Sequence, residues 1–565
     1  MKIKNLLSIL FIFTLAACDS GDVNINPETS TSNSNNTTTT AAPVTTEYCA
    51  AYNNSGGDTV KGSYNATTNH CTYSSAFSSA SNNITVDLLF KDLPGNGAHI
   101  FEASLFMGNT YKTDAAMTAA GITKGGDGPK LTVEAGATLA WTDKSNFLVI
   151  NRGSQIFADG SATKPITFTS KTDVDGTVGA EDVQQWGGIV INGFGVTNKC
   201  SYTNTRGESN FALASECHID SEGSAGVDEN QYGGINDADN SGSLQYVVVK
   251  HTGATVGNGD ELNGITFGAV GSNTTVKNLQ VYSVYDDGIE MFGGAVNVEN
   301  YVGLYVRDDS IDLDEGWHGT IKNALVIQSA TDGNHCIESD GIGSYSGKTT
   351  NVREDFVTRK LNTRATISNL TCIISPNGAA TATHDPGAGW RIREGIWMNI
   401  NDSMLISSFG ANDTGSTSDN YLLRIESAET HASFVGGDSN LNSVIYSGQE
   451  NEKGTTITGS NPSVTEKGFA ESEGNVFATV ASGSTKSATA TNDTDLQLLE
   501  GTQPFYSILW ATSQVDGAAP ANSSKPTGTG TYLGALSTGV ADWTFGWTYG
   551  LHPSNRGQAL WFESL

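Results

Sequence analysis

Positive charge is scarce in this sequence. It has 30 Lys and Arg residues against 60 Asp and Glu residues, which gives a formal net charge of −30. Because a nucleic-acid-binding protein neutralises phosphates with clustered Lys and Arg, this balance argues against nucleic acid as a partner, and equally against an anionic membrane surface. Charged residues make up only 16% of the 565 positions, which argues against a wholly disordered chain. Cations, neutral glycans and basic proteins stay open as ligands.

Several sequence motifs that are typical of metal-binding, hydrolase or phosphate-binding sites are also missing. The chain has no CxxC or CxxH spacing for a zinc site, and no GxSxG or HExxH sequence for a hydrolase. Gly257-Asn-Gly259 lacks the GK[ST] sequence that would make it a phosphate-binding loop. Beyond the N-terminus, no stretch reaches the roughly 18 apolar residues that a membrane-spanning helix needs. Any chemistry must therefore come from residues that the fold brings together.

The N-terminus predicts export and attachment to a membrane. Residues 1–17 have a basic start, a short apolar run and small residues, as a secretory signal peptide does. Leu15-Ala16-Ala17-Cys18 resembles the bacterial lipobox, which implies lipidation of Cys18; the alternative is an ordinary signal peptide with a chance cysteine. Residues 18–46, rich in Ser, Thr and Asn, predict a disordered tether. We expect a lipid-anchored envelope protein at the outer membrane or cell surface, although Asp19 leaves the inner membrane open.

Six cysteines follow this segment, and an oxidising envelope favours disulfides between them. Six thiols allow 15 pairings. The nearest-neighbour set is the simplest and is the one we predict: Cys49–Cys71, Cys200–Cys217 and Cys336–Cys372.

A repeat of about 23 residues organises the middle of the chain. Asn278, Asn300, Asn323 and Asn369 lie in similar apolar strings at spacings of 22, 23 and 46 residues, and Asp402 occupies the equivalent place once more. Each unit reads as strand, turn, strand, turn, which is too short for a helical crossover. Stacked in parallel, such units pair at about 4.8 Å and bury their Ile, Val, Leu and Phe in one core. Asn at the same turn can hydrogen-bond up the stack and tolerates left-handed backbone.

This pattern resembles the right-handed parallel β-helix of the pectin-lyase-like superfamily over residues 126–470. The alternatives are a β-sandwich or a propeller, but propeller blades need about 40 residues each. Strings such as LTVEAGATL, WGGIVING and DDGIEMFGG also resemble a poorly characterised group of bacterial envelope lipoproteins. We predict an all-β solenoid with an N-terminal cap at residues 47–125 and a C-terminal cap at residues 471–565. The tryptophans of the C-terminal segment either cover the last coil or form a sugar-stacking patch: Trp510, Trp543, Trp547 and Trp561.

Aligning the units on their isoleucines places acidic residues in columns. The anchors are Ile265, Ile289, Ile311 and Ile337, and the residues after them are Thr266, Glu290, Asp312 and Glu338. Aligning Ile425 in the same way adds Glu426. Asp314 and Asp340 form a second column two positions on. Residues one and three places after an inward Ile point outward, and carboxylates one strand spacing apart do not all ionise freely. The columns therefore need a cation, a shared proton or an arginine.

These columns supply the candidate site residues. Calcium suits clustered carboxylates, and its predicted ligands are Asp308, Asp309, Asp312 and Asp314. The further binding residues are Asp286, Asp287, Glu290, Glu338, Asp340 and Arg393. The superfamily resemblance implies calcium lyases with an arginine base or hydrolases with paired Asp residues and a His, and its parallels here are Asp308, Asp309, His318 and Arg391. The predicted catalytic residues are Asp309, Asp312, His318 and Arg391. The alternative is that the acids are solvated or form turns. The adjacent His335 and Cys336 are expected to point to opposite faces of a strand and not to act as a catalytic pair.

Two functions follow from these expectations. The first is a binding protein for a glycan, a cation or a receptor, such as an accessory to an outer-membrane uptake system. The second is a polysaccharide lyase or glycoside hydrolase that uses the acidic columns. The acids oppose an acidic glycan unless calcium bridges the charges, so we favour binding.

Overall fold

The computed structural model describes residues 47–222, 230–255, 261–377, 386–407, 420–448, 452–480, 495–498, 508–510, 533–536 and 541–564. The predicted signal peptide, Cys18 and the tether lie outside the described residues. Within the described part, no helix is both long and apolar enough to cross a membrane.

One sheet of nine short strands runs along the molecule, and every neighbouring pair in it is parallel. Its strands are Leu105–Met107, Leu148–Ile150, Ile189–Asn192, Ile265–Gly268, Ile289–Phe292, Ile311–Asp314, His335–Asp340, Ala388–Arg393 and Leu423–Ile425. The anchors Ile265, Ile289 and Ile311 pair directly with one another, as the alignment predicts. We call this sheet 1.

Longer strands form a second parallel stack, sheet 2. They are Gly242–Lys250, Thr275–Val284, Asn297–Val306, Thr320–Ile327, Arg364–Ile374, Trp397–Ser407 and Asn440–Ser447. Earlier in the chain the same two rows are built from separate short strands: Lys130–Val133 with Gln155–Asp159, and Thr138–Trp141 with Ile166–Ser170. Each long strand therefore corresponds to two short strands joined end to end. Each coil has three strand segments, one in sheet 1 and two in sheet 2.

The corner within three of the long strands is made by an asparagine ladder, and Asp402 holds the equivalent corner of Trp397–Ser407 at φ 48°. Asn278, Asn300 and Asn323 have φ of 55°, 62° and 56°, the left-handed region that Asn tolerates better than most residues. The Asn300 amide donates to Asn278 Oδ1 at 2.8 Å, and the Asn323 amide donates to Asn300 Oδ1 at 3.0 Å. Asn369 keeps the backbone geometry but donates to the Gly534 carbonyl. The predicted ladder is confirmed over three coils.

Outside these strands the chain forms short elements. The other strands are Ala51–Asn53, Thr59–Lys61, Ser63–Asn65, His70–Tyr73, Leu88–Phe90, His99–Phe101, Tyr202–Thr203, Ala212–Leu213, Ile219–Asp220, Gln231–Tyr232, Val476–Val480, Asp495–Leu498 and Ile508–Trp510. The α-helices are Asp114–Ala120, Lys171–Val174, Thr350–Thr358, Ala428–Gly436 and Glu466–Ser472, and the 3₁₀ turns are Pro94–Asn96, Tyr345–Gly347 and Trp561–Ser564.

A single apolar core runs the length of the coil and contains the isoleucine anchors, each fully buried. Continuous burial of this kind is what holds together units too small to fold alone. The three predicted disulfides, Cys49–Cys71, Cys200–Cys217 and Cys336–Cys372, are confirmed. Cys336 lies in the core, whereas the neighbouring His335 bonds to groups on the outer face of sheet 1.

The two ends of the chain differ from simple caps. Leu88–Phe90 and His99–Phe101 already pair in parallel with Lys130–Val133 and Thr138–Trp141, so the parallel stack begins inside the segment assigned to the N-terminal cap. Val476–Val480 continues the parallel stack from Asn440–Ser447. The described residues from Leu533 onwards lie against outward-facing side chains of several successive long strands of sheet 2, from Tyr282 to Ile445. They therefore cover the side of the coil and not its last turn.

Candidate functional site

An open, acidic pocket lies on the outer face of sheet 1. It has a volume of about 320 Å³, and eight of its eleven lining residues carry a carboxyl group. We call it the acidic pocket and define it by Glu222, Asp286, Asp287, Glu290, Asp308, Asp309, Asp312, Asn334, His335, Glu338 and Arg391. Arg391 is the single arginine or lysine among these eleven residues.

Strand register builds one wall of the pocket. Glu290 pairs with Asp312, Asp312 with Glu338, and Glu338 with Arg391, so the predicted column of three carboxylates on adjacent strands is present. The residue next to Arg391 in this column is Arg424, not Glu426. The predicted place of Glu426 is wrong because Leu423, and not Ile425, pairs with Trp390 in line with the anchors. Ile425 pairs with Ile392, so Glu426 lies two residues beyond the column.

A second row stands two residues before each anchor. It consists of Asn263, Asp287, Asp309 and His335, on successive coils. Asp287 Oδ1 accepts a hydrogen bond from the Asp309 backbone N–H at 3.0 Å, and Asp309 Oδ1 accepts one from the His335 N–H at 2.8 Å. Each side chain thus fixes the start of the next strand and is itself held in place. The Asn263 amide donates to Glu290 Oε2 at 2.6 Å, which joins the two rows.

The electrostatics of the pocket disfavour full ionisation. Burial, with the neighbouring Glu222 and Asp308, raises the pKa of Asp286 to about 8. Burial first, and nearby carboxylates second, also raise the pKa of four further residues well above their usual values: Asp287, Glu290, Asp309 and Asp312. Carboxylates in contact disfavour one another's charged forms, and poor hydration adds to the effect. Burial lowers the pKa of His335 to about 4, so its imidazole is neutral near pH 7.

The pocket offers three groups of ligand atoms close enough to share a cation. In each group the atoms lie within 4.8 Å of one another. The groups are Asp286–Asp287–Asp308, Asp287–Glu290–Asp312 and Asp309–His335–Glu338. In the second group, Asp312 Oδ1 is buried and has no hydrogen-bond partner among the residues that the structure describes. A buried carboxylate oxygen without a donor is costly unless a proton or a cation reaches it.

Arginines close one end of the pocket. Arg391 donates to Glu338 Oε1 at 2.8 Å and to Glu426 Oε2 at 2.9 Å. Although burial alone would lower its pKa, the hydrogen bond to Glu426 raises it above the usual value. Arg393 donates to Glu338 Oε2 at 3.0 Å and pairs with Asp340. The charge along the sheet face therefore changes from acidic to basic at Glu338.

The structure brings most predicted site residues together. Of the predicted catalytic residues, Asp309, Asp312 and Arg391 line the pocket, whereas His318 does not and bonds to the Asn362 carbonyl. Of the predicted calcium ligands, Asp308, Asp309 and Asp312 fall into different groups, and Asp314 lies outside the lining. The predicted binding residues divide in the same way: Asp286, Asp287, Glu290 and Glu338 line the pocket, and Asp340 and Arg393 pair beside it.

The C-terminal tryptophans do not form an open stacking surface. Trp547 is 1% exposed, and the indole N–H groups of Trp543, Trp547 and Trp561 each donate to a backbone carbonyl. The side chain of Trp510 lies outside the described residues. Trp547 is buried and Trp543 and Trp561 are half-buried against sheet 2, and their satisfied N–H groups fit the covering role.

Four residues in or beside the pocket are not among the residues predicted from the sequence: Glu222, Asn263, His335 and Tyr421. His335 and Asn263 occupy the same offset from an anchor isoleucine as Asp287 and Asp309, a signal that is visible once all residue types are read in the alignment. Glu222 comes from an insertion between strands of sheet 1, where no periodicity places it. Tyr421, whose hydroxyl lies 2.8 Å from His335 Nε2, precedes a short strand and is equally hidden.

A solenoid of parallel strands with an acidic pocket on one outer sheet face defines the class: a parallel β-helix protein. The chain belongs to the pectate-lyase-like beta helix domain family, whose model matches residues 102–548. Comparisons with curated proteins and with solved structures gave no match.

Proposed function

We propose that this protein is a cation-dependent binding protein whose acidic pocket holds calcium. The observation that carries the proposal is the set of eight carboxyl groups around one open cavity, with Asp312 Oδ1 buried and without a donor. The chain supplies one arginine to this lining, and Arg393 beside it also donates to Glu338, so a bound cation would add to the positive charge facing these eight carboxyl groups.

The chemistry of the lining favours a hard divalent cation. Calcium takes six to eight oxygen ligands in flexible geometry, and two of the three ligand groups consist of carboxylates alone. Magnesium demands a stricter octahedron and gives up its waters reluctantly, so it fits an open pocket of fixed carboxylates less well. A calcium ion would replace the protons that the raised pKa values imply.

The remaining space in the pocket suits a second ligand on the ion. A cavity of about 320 Å³ is larger than one hydrated ion requires and opens to solvent. Hydroxyl or carboxylate oxygens of a glycan could complete the coordination sphere of the ion. A glycan carboxylate bound in this way would lie near the positive charge of Arg391. With the expected lipid anchor at Cys18, such a protein would display its pocket from the cell envelope.

Calorimetric titration of the protein with calcium tests the proposal. The double variant Asp287→Asn/Asp312→Asn should bind calcium at least tenfold more weakly, because it loses two ligand charges while keeping side-chain shape. A control variant with the same loss of charge, Asp58→Asn/Glu354→Gln, changes two exposed residues outside the pocket lining and should bind calcium as the wild type does. Equal affinities in all three proteins, or no calcium binding by the wild type, would refute the proposal.

Polysaccharide cleavage is a second candidate with one observation in its favour. A carboxyl group such as Asp286, with its pKa raised to about 8, is protonated near pH 7 and can act as a general acid. Arg391, in contrast, pairs with the carboxylates of Glu338 and Glu426, and the pKa of its guanidinium is raised. It therefore keeps its proton and is disfavoured as the base of a lyase. Release of reducing ends or of ultraviolet-absorbing unsaturated sugars from a polysaccharide panel, abolished by Asp286→Asn, would favour the enzyme over the binding protein.

A further inference from the structure

The acidic pocket contains one group of ligand atoms that differs in kind from the others. The carboxylates of Asp309 and Glu338 share it with an imidazole nitrogen, Nδ1 of His335. This nitrogen lies 2.7 Å from Asp309 Oδ1 and 3.6 Å from Glu338 Oε1. Ligands about 2.1 Å from a tetrahedral ion lie roughly 3.4 Å apart. The two separations from Nδ1 would therefore change by less than about 1 Å to admit a metal.

We propose that Asp309, His335 and Glu338 form a transition-metal site of the zinc class, separate from the carboxylate-only groups that suit calcium. Imidazole nitrogen is a preferred ligand of zinc, whereas calcium takes oxygen almost exclusively. Three protein ligands leave the fourth position facing the cavity, where water or a ligand oxygen can bind. The assignment does not depend on calcium binding elsewhere in the pocket.

The outer partners of His335 suit a metal ligand. His335 is 6% exposed, and its Nε2 lies 2.8 Å from the hydroxyl of Tyr421, which is 3% exposed. Ala388 lies beside His335 on the next strand, and its small side chain leaves room for Tyr421 to reach across. With the imidazole proton on Nε2, the ring donates to the Tyr421 oxygen and presents the lone pair of Nδ1 to the metal. Metal-bound histidines regularly have such a partner on the second nitrogen.

The outer partner of Glu338 is also in place. Its Oε1 accepts one hydrogen bond from Arg391, at 2.8 Å, and its Oε2 accepts one from Arg393, at 3.0 Å. An ionised carboxylate has about four acceptor positions, so Oε1 keeps a lone pair for a metal. The guanidinium groups fix the plane of the carboxylate, as hydrogen bonds to ligating carboxylates commonly do.

Zinc and calcium titrations of the full-length protein test the assignment. His335→Gln removes the nitrogen ligand and should weaken zinc binding at least tenfold, and calcium binding far less, because calcium takes oxygen ligands. Tyr421→Phe removes only the outer partner and should weaken zinc binding by roughly 10- to 100-fold. The control His70→Gln changes a half-buried histidine of an N-terminal strand and should bind both metals as the wild type does.

Cobalt substitution gives a readout that does not depend on any variant. Cobalt(II) in the wild-type site should give the intense visible absorption of a four-coordinate ion, and Tyr421→Phe should shift it. An octahedral, all-oxygen spectrum in the wild type would overturn the assignment, as would unchanged zinc affinity in His335→Gln. Asp287→Asn/Asp312→Asn separates the two proposals, because it should lose calcium and retain zinc. Loss of both metals in both variants would indicate one shared carboxylate site and would also overturn the zinc assignment.

Discussion

Changing Asp286 to asparagine probes the charge balance of the acidic pocket most directly. Burial and the neighbouring Glu222 and Asp308 raise the pKa of this carboxyl from 3.8 to about 8 in the folded protein. The folded state therefore holds a proton that the unfolded state releases. Because stability falls with pH wherever the native state binds more protons, the calcium-free protein should lose stability as the pH rises from about 4 to about 8.

The size of the effect follows from the same shift. Each tenfold change in proton affinity is worth about 1.4 kcal/mol, so the full shift would correspond to about 6 kcal/mol. The pocket is open to solvent and salt screens its charges, so we expect a smaller gain in Asp286→Asn, on the order of 2 kcal/mol at pH 8. At pH 4, which is close to the ordinary pKa of 3.8 that the carboxyl has in the unfolded chain, little of this destabilisation has developed, so the variant should gain little.

Thermal unfolding in EDTA at pH 4, 6 and 8 measures this difference, with tryptophan fluorescence as the signal. Saturating calcium should oppose the destabilisation of the wild type, since a ligand at 100 times its dissociation constant stabilises by about 2.7 kcal/mol. The variant should respond less. The reasoning would be refuted if wild type and variant had parallel pH profiles, or if the calcium-free wild type became more stable between pH 4 and pH 8.

Three further predictions concern the scaffold and are checked by thermal or urea unfolding. Asn300→Ala should lower the free energy of unfolding by about 2–3 kcal/mol, because it removes two ladder hydrogen bonds and places alanine at φ 62°. Asn300→Gly should lower it less, because glycine adopts this left-handed backbone without strain. A larger loss in the glycine variant would contradict the role of the left-handed corner. Replacing Cys336 and Cys372 together by serine opens a loop with a separation of 36 residues and should cost about 3–4 kcal/mol in the chain-entropy model, with unchanged stability as the contrary result. Trp547→Ala should cost about 3–5 kcal/mol and leave calcium binding intact, whereas a selective loss of glycan binding would restore the sugar-stacking hypothesis.

The repeat could be predicted from the sequence because each coil needs the same residue types at its corner and at its inward positions. A left-handed corner selects asparagine at Asn278, Asn300 and Asn323, and an inward position selects isoleucine at the anchors. The anchors also set the column of Glu290, Asp312 and Glu338, because strands of nearly equal spacing stack in simple register. Where the spacing becomes irregular, the alignment fails: Leu423 and not Ile425 occupies the anchor position opposite Trp390, and Glu426 is displaced as a result.

By itself, the sequence therefore determined the solenoid and the presence of acidic columns, since these depend on periodicity. The nearest-neighbour disulfides were one of 15 possible pairings, and the structure decided between them. The tertiary structure decided which carboxylates face one cavity, that His335 lies between Asp309 and Tyr421, and that the C-terminal segment covers the side of the coil. Those features join residues from insertions and distant coils. The positions of these residues depend on packing and strand pairing between distant parts of the chain, so no fixed spacing in the sequence predicts them.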